Sequence, residues 1–256
     1  MALHFQDKPE IPLGRPPIVE VICQVRFPAI LKLMRAEPAE FQEMVKHLFP
    51  DLQVQVEQLT IIDSSAVSGM DIKTAPQSKA YKFQMMDAMT TIVLAANFFA
   101  VTTTRYTQWK EFLSFVTLGK DALDKVYQPA YASRIGLRYV NRFAPSNTGS
   151  ASINEVYRLL QPELTAQLRS LAWSSPEQFQ SRLQLTNGSG RLTLSTSYQS
   201  EPEEQAFVLD LDYFEEGKIN LSEVEQRCDH YHNEIYRAFR WCVLDESLPK
   251  FDARVD

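Results

Sequence analysis

Three arginines recur at every fourth position of the stretch Tyr131–Phe143, which reads YASRIGLRYVNRF. Successive side chains of a strand point to opposite faces, and Arg134, Arg138 and Arg142 share one parity. The other parity is apolar or aromatic, with Ile135, Leu137, Tyr139 and Phe143. A planar guanidinium can donate to a carboxylate or phosphate through two parallel bonds. The stretch therefore predicts a strand with one apolar face and, on the other, a row of arginines about 13 Å apart.

Carboxylates on the same predicted face leave two interpretations of this row. An early strand contributes Glu20 and Arg26, and a late strand contributes Asp210 and Asp212. The face either grips an acidic or phosphate-bearing partner, or holds a network of cross-strand ion pairs. Asn141 lies at its core-side boundary. The candidate binding face comprises Glu20, Arg26, Arg134, Arg138, Asn141, Arg142, Asp210 and Asp212.

The last helical segment carries the secondary candidates His230, His232 and Glu234. His230 and Glu234 are four residues apart, which places both on one helical face and suits a divalent metal ion. His232 falls at the edge of an apolar stripe, whereas His230 lies almost opposite it. No HExxH motif accompanies them, so solvated or packed positions are the favoured interpretation. No metal site is predicted.

Motifs of covalent and nucleotide chemistry are absent from the sequence, which has no GxSxG elbow, Walker loop or GxGxxG. Its three cysteines, Cys23, Cys228 and Cys242, fall on inward strand parity or in a helical stripe, which indicates buried structural thiols. Asp210 and Asp212 have the residue type for acid–base chemistry, but alternating acids beside arginines are more often structural. We predict no cofactor, and a non-catalytic protein is favoured over an enzyme.

Proline positions and apolar periodicity predict the order of the elements. Residues 1–17 carry four prolines and should form an extended arm. The predicted strands are Ile18–Phe27, Leu52–Asp63, Tyr81–Met86, Thr90–Ala96, Phe98–Arg105, Tyr131–Phe143, Glu177–Leu185, Arg191–Tyr198 and Gln205–Tyr213. The predicted helices are Glu37–Phe49, a long one from Thr107, Ile153–Leu160, which Pro162 ends, and a long one from Asn220.

The same order of elements occurs twice, which predicts an internal duplication. We expect an arm at 1–17, a first repeat at 18–130 and a second at 131–256, with one continuous domain left open. The expected fold is α+β, with two tandem strand–helix–antiparallel meander–long helix repeats forming a curved antiparallel sheet with helices on one side. This plan resembles the TATA-binding-protein fold, with a helix-grip fold as the alternative. Such a likeness carries little about function.

Bulk properties narrow the class of protein. The chain has 256 residues, 45% of them hydrophobic and 23% charged, which is typical of a globular protein. Its net charge of -6 disfavours nucleic acid as a partner, because phosphate binding needs clustered lysine and arginine. The sequence contains neither a secretion signal nor an apolar run near the roughly 20 residues that span a bilayer. We expect a cytoplasmic protein without a membrane partner.

Four motifs, taken together, resemble one known family. They are Pro-Pro-Ile-Val-Glu at Pro16–Glu20, Leu-Arg-Tyr-Val-Asn-Arg at Leu137–Arg142, Leu-Asp-Leu-Asp at Leu209–Asp212, and His232 followed by Ile235 and Phe239. In this order they are similar to a sporadically distributed, uncharacterised family of bacterial and archaeal proteins. The resemblance implies no activity or catalytic residues. Its patchy distribution implies a link to mobile elements or antiviral defence.

Three functional hypotheses follow. The first is a cytoplasmic binding or adaptor protein that uses the arginine-bearing sheet face to hold a protein or an acidic ligand. The second is an enzyme or small-ligand binder with a cavity between the sheet and the long helices, where Asp210, Asp212 or His232 would act. The third is a nucleic-acid-binding defence component, which the net charge disfavours. A homo-oligomer is compatible with all three.

Overall fold

The computed structural model describes residues 3, 5–57, 60–61, 73–74, 78–173, 176–200 and 202–253. Its strands are β1 Ile18–Arg26, β2 Asp51–Glu57, β3 Thr60–Ile61, β4 Lys73–Thr74, β5 Ser78–Gln84, β6 Thr90–Ala95, β7 Phe98–Thr103, β8 Ala132–Phe143, β9 Phe179–Asn187, β10 Gly190–Ser200 and β11 Gln205–Ile219. Nine of them form one sheet in the order β2-β5-β6-β7-β1-β8-β11-β10-β9, and β3 pairs with β4 separately. The predicted antiparallel α+β fold is confirmed.

β1 and β8 lie side by side at the centre of the sheet. They run antiparallel, with Cys23 opposite Leu137 and Ile22 opposite Arg138. The sheet extends from β1 through β7, β6 and β5 to β2 on one side. It extends from β8 through β11 and β10 to β9 on the other. The sheet is therefore continuous from the first half of the chain to the second.

The helices cover one face of the sheet, called here the inner face. They are α1 Leu31–Arg35, α2 Ala39–Val45, α3 Trp109–Tyr127, α4 Pro145–Thr148, α5 Ile153–Tyr157, α6 Pro162–Thr165 and α7 Val224–Cys242. The long helices α3 and α7 contact each other, and they pack on β7, β8 and β11. Short 3-10 helices at Leu221–Glu223 and Asp245–Phe251 flank α7.

Strand alternation produces the core. Leu137, Leu209 and Leu211 point to the inner face and are fully buried against the helices. Full burial of one such side chain contributes about 1.5–3 kcal/mol, so this face supplies most of the driving force for folding. The opposite face of the sheet, called here the outer face, carries the arginine row, and Arg138 is exposed there.

The last helical segment begins at Asn220, as predicted, and two side chains cap its start. The Asn220 side chain accepts a bond from the Ser222 amide, and the Glu223 side chain accepts one from the Asn220 amide. One turn of 3-10 helix precedes α7. Along α7, Cys228 is buried with its Sγ 3.6 Å from that of Cys23, and both thiols are free. The hydrogen bond between the two thiols, together with burial, raises the pKa of Cys228 well above its usual value.

Several predicted boundaries were wrong for local reasons. The β1–β8 register shifts between Ile18 and Glu20, so Val19 is exposed although strict alternation would bury it. Pro162 begins α6 instead of only ending a helix, because proline fits the first helical turn. β11 extends to Ile219, six residues beyond the prediction. Of the predicted strand Leu52–Asp63, residues 58–59 and 62–63 lie outside the described residues.

None of the described helices is both long enough and apolar enough to cross a membrane.

Candidate ligand-binding cavity on the inner face

The arginine row is paired with carboxylates of neighbouring strands. Arg138 donates from Nε and Nη2 to the two oxygens of Asp210, both at 2.7 Å. Arg134 donates to Asp212 Oδ2 at 3.0 Å. These bonds run between β8 and β11, where Asp212 lies directly opposite Arg138 and Asp210 opposite Val140. The geometry is that of a cross-strand ion-pair network.

Gly136 allows Arg134 to lie along the strand. A Cβ built at this glycine would come within 2.5 Å of the Arg134 guanidinium. The guanidinium also stacks 4.5 Å from the centre of the Phe214 ring. Burial raises the pKa of Asp212, although Arg134 opposes this shift. Both charges are therefore held in fixed positions at a half-buried site.

The remaining members of the predicted face are arranged differently. Arg142 pairs with Glu204 at 3.1 Å rather than with an aspartate. Bonds from the Ser146 hydroxyl and amide lower the pKa of Glu204. Arg26 donates to Gln24 at 2.9 Å, and Glu20 lies half-buried opposite Val140. Sequence reasoning left Glu204 out of the face, because it lies before β11 and strand parity says nothing about it.

Asn141 does not belong to the arginine face. It lies on the inner face of β8, is 1% exposed, and borders a cavity of about 470 Å³. Strand parity explains this position, because Asn141 is two residues from Tyr139 and therefore points to the same side. The sequence placed it at the core-side boundary, and the structure places it on the core side.

The cavity lies between the N-terminal arm, the sheet and α7. The arm contributes an apolar wall made of Ile11, Pro12, Leu13, Pro16 and Pro17, and β1 adds its first residue, Ile18. The sheet contributes Tyr139, Asn141 and Leu211, and α7 contributes His232, Ile235, Tyr236 and Phe239. The shift in the β1 register brings Ile18 beside Asn141 at this wall. Elements from both ends of the chain thus build the cavity.

Specific bonds hold the arm in this position. The Ile11 amide donates to the Tyr236 hydroxyl at 2.8 Å, and that hydroxyl donates to the Pro9 carbonyl at 3.0 Å. Farther along, the Gly14 and Arg15 amides donate to the carbonyls of Asp252 and Phe251 at 3.1 and 3.0 Å. The arm is extended, as its prolines predict, and it is ordered by backbone bonds.

A connected set of polar side chains forms one wall of the cavity. The Tyr139 hydroxyl is 2.9 Å from His232 Nδ1 and 3.5 Å from the Tyr106 hydroxyl. His232 Nε2 lies 3.7 Å from a carboxylate oxygen of Glu10 on the arm. Burial lowers the pKa of His232, while Glu10 and Asp229 oppose the shift. The imidazole is therefore neutral at pH 7.

The tyrosines beside His232 also remain in their neutral forms. Burial raises the pKa of Tyr106 to about 12 and raises that of Tyr139 well above its usual value. Neutral hydroxyls and a neutral imidazole can both donate and accept hydrogen bonds. The wall can thus bind a polar group without supplying a positive charge.

Asn141, which borders this cavity, carries a side-chain oxygen without a hydrogen-bond partner. Its Nδ2 donates to the Leu209 carbonyl at 3.3 Å, which fixes the orientation of the amide. Its Oδ1 is buried and has no hydrogen-bond partner. Among the described side chains with such an atom, Asn141 is the one that borders the cavity. A buried acceptor without a donor costs about 1–3 kcal/mol, so a donor from a ligand or a water molecule would stabilise this site.

The other two secondary candidates lie away from the cavity. His230 is exposed, with its ring edge-on to Tyr213 at 5.7 Å. Glu234 is buried, accepts from Asn187 at 2.9 Å, and pairs with Arg237. The described residues contain no group of three or more His, Cys, Asp and Glu side chains that could hold a metal ion.

Sequence reasoning missed Glu10, Tyr106 and Trp109 as neighbours of His232. Trp109 is the first residue of α3 and contacts His232 and Asp229 of α7. The position of Glu10 could not be predicted, because an irregular arm has no periodicity that indicates where a side chain points. Tyr106 precedes α3 by three residues, and only the tertiary structure brings it to β8.

Comparisons with known proteins add little. No family model matches the chain, and no curated protein matches it. Among solved structures, the chain is similar to the S. pombe Pct1 RNA triphosphatase, at 8% identity over 98% of this chain and 94% of that one, with a TM-score of 0.14. The same enzyme in complex with the Spt5 CTD gives 8% identity, 98% and 96% coverage, and a TM-score of 0.14. Likeness at this level carries no argument about fold or function.

Proposed function

We propose that the protein binds a small organic molecule in the cavity between the arm, the sheet and α7. The observation that carries the proposal is Asn141 Oδ1, a buried acceptor without a partner at the cavity wall. Proteins tolerate such an atom where a ligand, a water molecule or an ion satisfies it. Its Nδ2 is fixed by Leu209, so a donor arriving through the cavity is the natural partner.

The composition of the cavity supports the same proposal. Ligand pockets typically measure about 300–1,000 Å³ and combine apolar walls with a few polar groups. This cavity has about 470 Å³, a mainly apolar arm wall, and the polar groups of Tyr106, Tyr139 and His232. The polar groups give orientation, and the apolar wall gives affinity.

The arginine face supports a binding role less well. The donors of Arg134, Arg138 and Arg142 already engage carboxylates of the same chain. An acidic partner would have to displace these carboxylates, which are held in place by the sheet. The cavity needs no such exchange, because its acceptor is unpaired.

Two measurements test the proposal. Native mass spectrometry of protein purified gently from its host should show a noncovalent adduct. Nile red, a neutral dye, should bind the emptied protein with a fluorescence increase. Ile18→Trp, which fills the cavity from β1, should abolish both signals, whereas Ile22→Trp on the outer face of the same strand should leave them unchanged. Absence of adduct and dye binding in the wild-type protein would overturn the proposal.

A further inference from the structure

We infer that the ligand of this cavity is an organic amine carried on an apolar body. The inference rests on the proposed function and names the chemical class that the site accepts. It follows from the charges, the acceptors and the rings that face the cavity.

The charges at the cavity wall favour a cation. Of the described residues that line it, Glu10 carries a carboxylate and no lysine or arginine is present. His232 adds no positive charge at pH 7, because burial lowers the pKa of its imidazole. An ammonium group near Glu10 would complete an ion pair, and a carboxylate ligand would meet repulsion without any compensating cation.

The hydrogen-bonding groups also favour a donor. The unpaired atom of Asn141 is an oxygen, because the amide nitrogen faces the Leu209 carbonyl. An N–H group satisfies this oxygen, whereas a carboxylate oxygen or a carbonyl would repel it. An amine has up to three such donors, which matches a wall that offers several acceptor atoms.

Aromatic rings offer a third feature that suits a cation. The rings of Tyr106 and Tyr139 meet edge-on at 5.5 Å, and both residues line the cavity. The face of a tyrosine ring attracts ammonium groups, and this attraction grows when water is excluded. Pro12, Pro17 and Phe239 leave an apolar region for the rest of the molecule.

Three matched probes test the inference: tryptamine, indole-3-propionate and indole-3-ethanol. They share one ring system and differ in charge, so displacement of Nile red at pH 7 compares the charges directly. We expect tryptamine to bind at least about tenfold more tightly than indole-3-propionate, with indole-3-ethanol between them. Equal or tighter binding of the propionate would overturn the inference.

Variants of Glu10 assign the preference to this carboxylate. The side chain is 65% exposed on the arm, so its replacement should not disturb the core. Glu10→Gln should weaken tryptamine binding about three- to tenfold and leave indole-3-ethanol unchanged. Glu10→Lys should reverse the preference in favour of the propionate. Glu43→Gln makes the same change of net charge on an exposed position of α2 and should have no effect.

The outcomes separate the two proposals. If Nile red binds and Ile18→Trp blocks it, but the propionate is preferred, the amine inference fails and the cavity remains a ligand site. If the dye does not bind and no adduct is found, both proposals fail.

Discussion

The imidazole of His232 lies flat against the indole of Trp109, with ring centres 4.5 Å apart and planes 1° from parallel. The indole nitrogen donates to Asp229 at 2.7 Å, which ties α3 to α7. At the edge of the imidazole, Nδ1 lies 2.9 Å from the hydroxyl of Tyr139 on β8. One side chain therefore joins both long helices to the centre of the sheet, at the edge of the cavity.

This arrangement predicts a pH dependence of stability. The pKa of His232 is lowered in the folded protein, so the unfolded chain binds its proton more readily. The contribution of the neutral imidazole is fully present above the unfolded pKa of about 6.5 and is lost as the pH falls below it. Urea unfolding at pH 7.5 and 5.5 should show lower stability at the acidic value.

Replacement of the histidine tests this assignment. His232→Gln should lower the free energy of unfolding at pH 7.5 by about 1–2 kcal/mol, because it removes the stacking and weakens the bond to Tyr139. It should also reduce the change between the two pH values. His47→Gln, at an exposed position, should leave the wild-type pH dependence intact. An unchanged pH dependence in His232→Gln would refute the assignment.

The side chain of Asn141 should contribute to ligand binding and little to the stability of the ligand-free protein. Asn141→Leu removes a buried acceptor that has no partner, so the free energy of unfolding without ligand should stay within about 1 kcal/mol of wild type. Binding of Nile red and of amines should weaken at the same time. Thermal and urea unfolding of the ligand-free protein measure the first effect.

The matched comparison is Leu137→Asn. Leu137 lies on the same face of β8 as Asn141, four residues earlier in the strand. Leu137 is fully buried away from the cavity, so an amide there would lack both space and partners. It should cost more than about 3 kcal/mol. Equal destabilisation by the two substitutions would show that Asn141 is an ordinary core residue.

The ion pairs of the outer face should differ in their contributions. Arg134→Met should cost about 2 kcal/mol, because it leaves the half-buried Asp212 without its partner. The double substitution Arg134→Met/Asp212→Leu should recover most of this loss. Arg138→Met should cost less than about 1 kcal/mol, because 45% of the Arg138 side chain is exposed to solvent. Urea unfolding of each variant decides the order, and a larger cost for Arg138→Met would contradict it.

The arm should loosen locally when one hydroxyl is removed. Tyr236→Phe deletes the acceptor of the Ile11 amide and the donor to the Pro9 carbonyl. Hydrogen exchange at Ile11 should accelerate about three- to tenfold. Exchange at Gly14 and Arg15 should not change, because those amides donate to backbone carbonyls. Equal acceleration at all three amides would mean that the arm opens as one unit.

Strand periodicity predicted the sheet well because it acts locally. The alternation in β8 placed Leu137 inside and Arg138 outside, and both positions are confirmed. The capping pair Asn220 and Glu223 similarly fixed the start of the last helix. These features depend on neighbours within a few residues, so the sequence contains them directly.

The cavity could not be predicted in the same way, because its parts are distant in sequence. Glu10 and His232 are brought together by the path of an irregular arm. The shifted register at Ile18 then changes which side chain faces the cavity. We predicted Asn141 at the core-side boundary of the arginine face, and only the packing of α7 and the arm shows that it borders a cavity and that its oxygen has no partner.

The central pairing of β1 with β8 also delays the completion of the sheet during synthesis on the ribosome. β1 ends at Arg26 and β8 begins at Ala132, so roughly a hundred residues must be translated between them. At about 5–20 residues per second, the edge of β1 waits about 5–20 s for its partner. The first half of the nascent chain carries an unpaired strand edge throughout this interval, which makes it a natural client for chaperones.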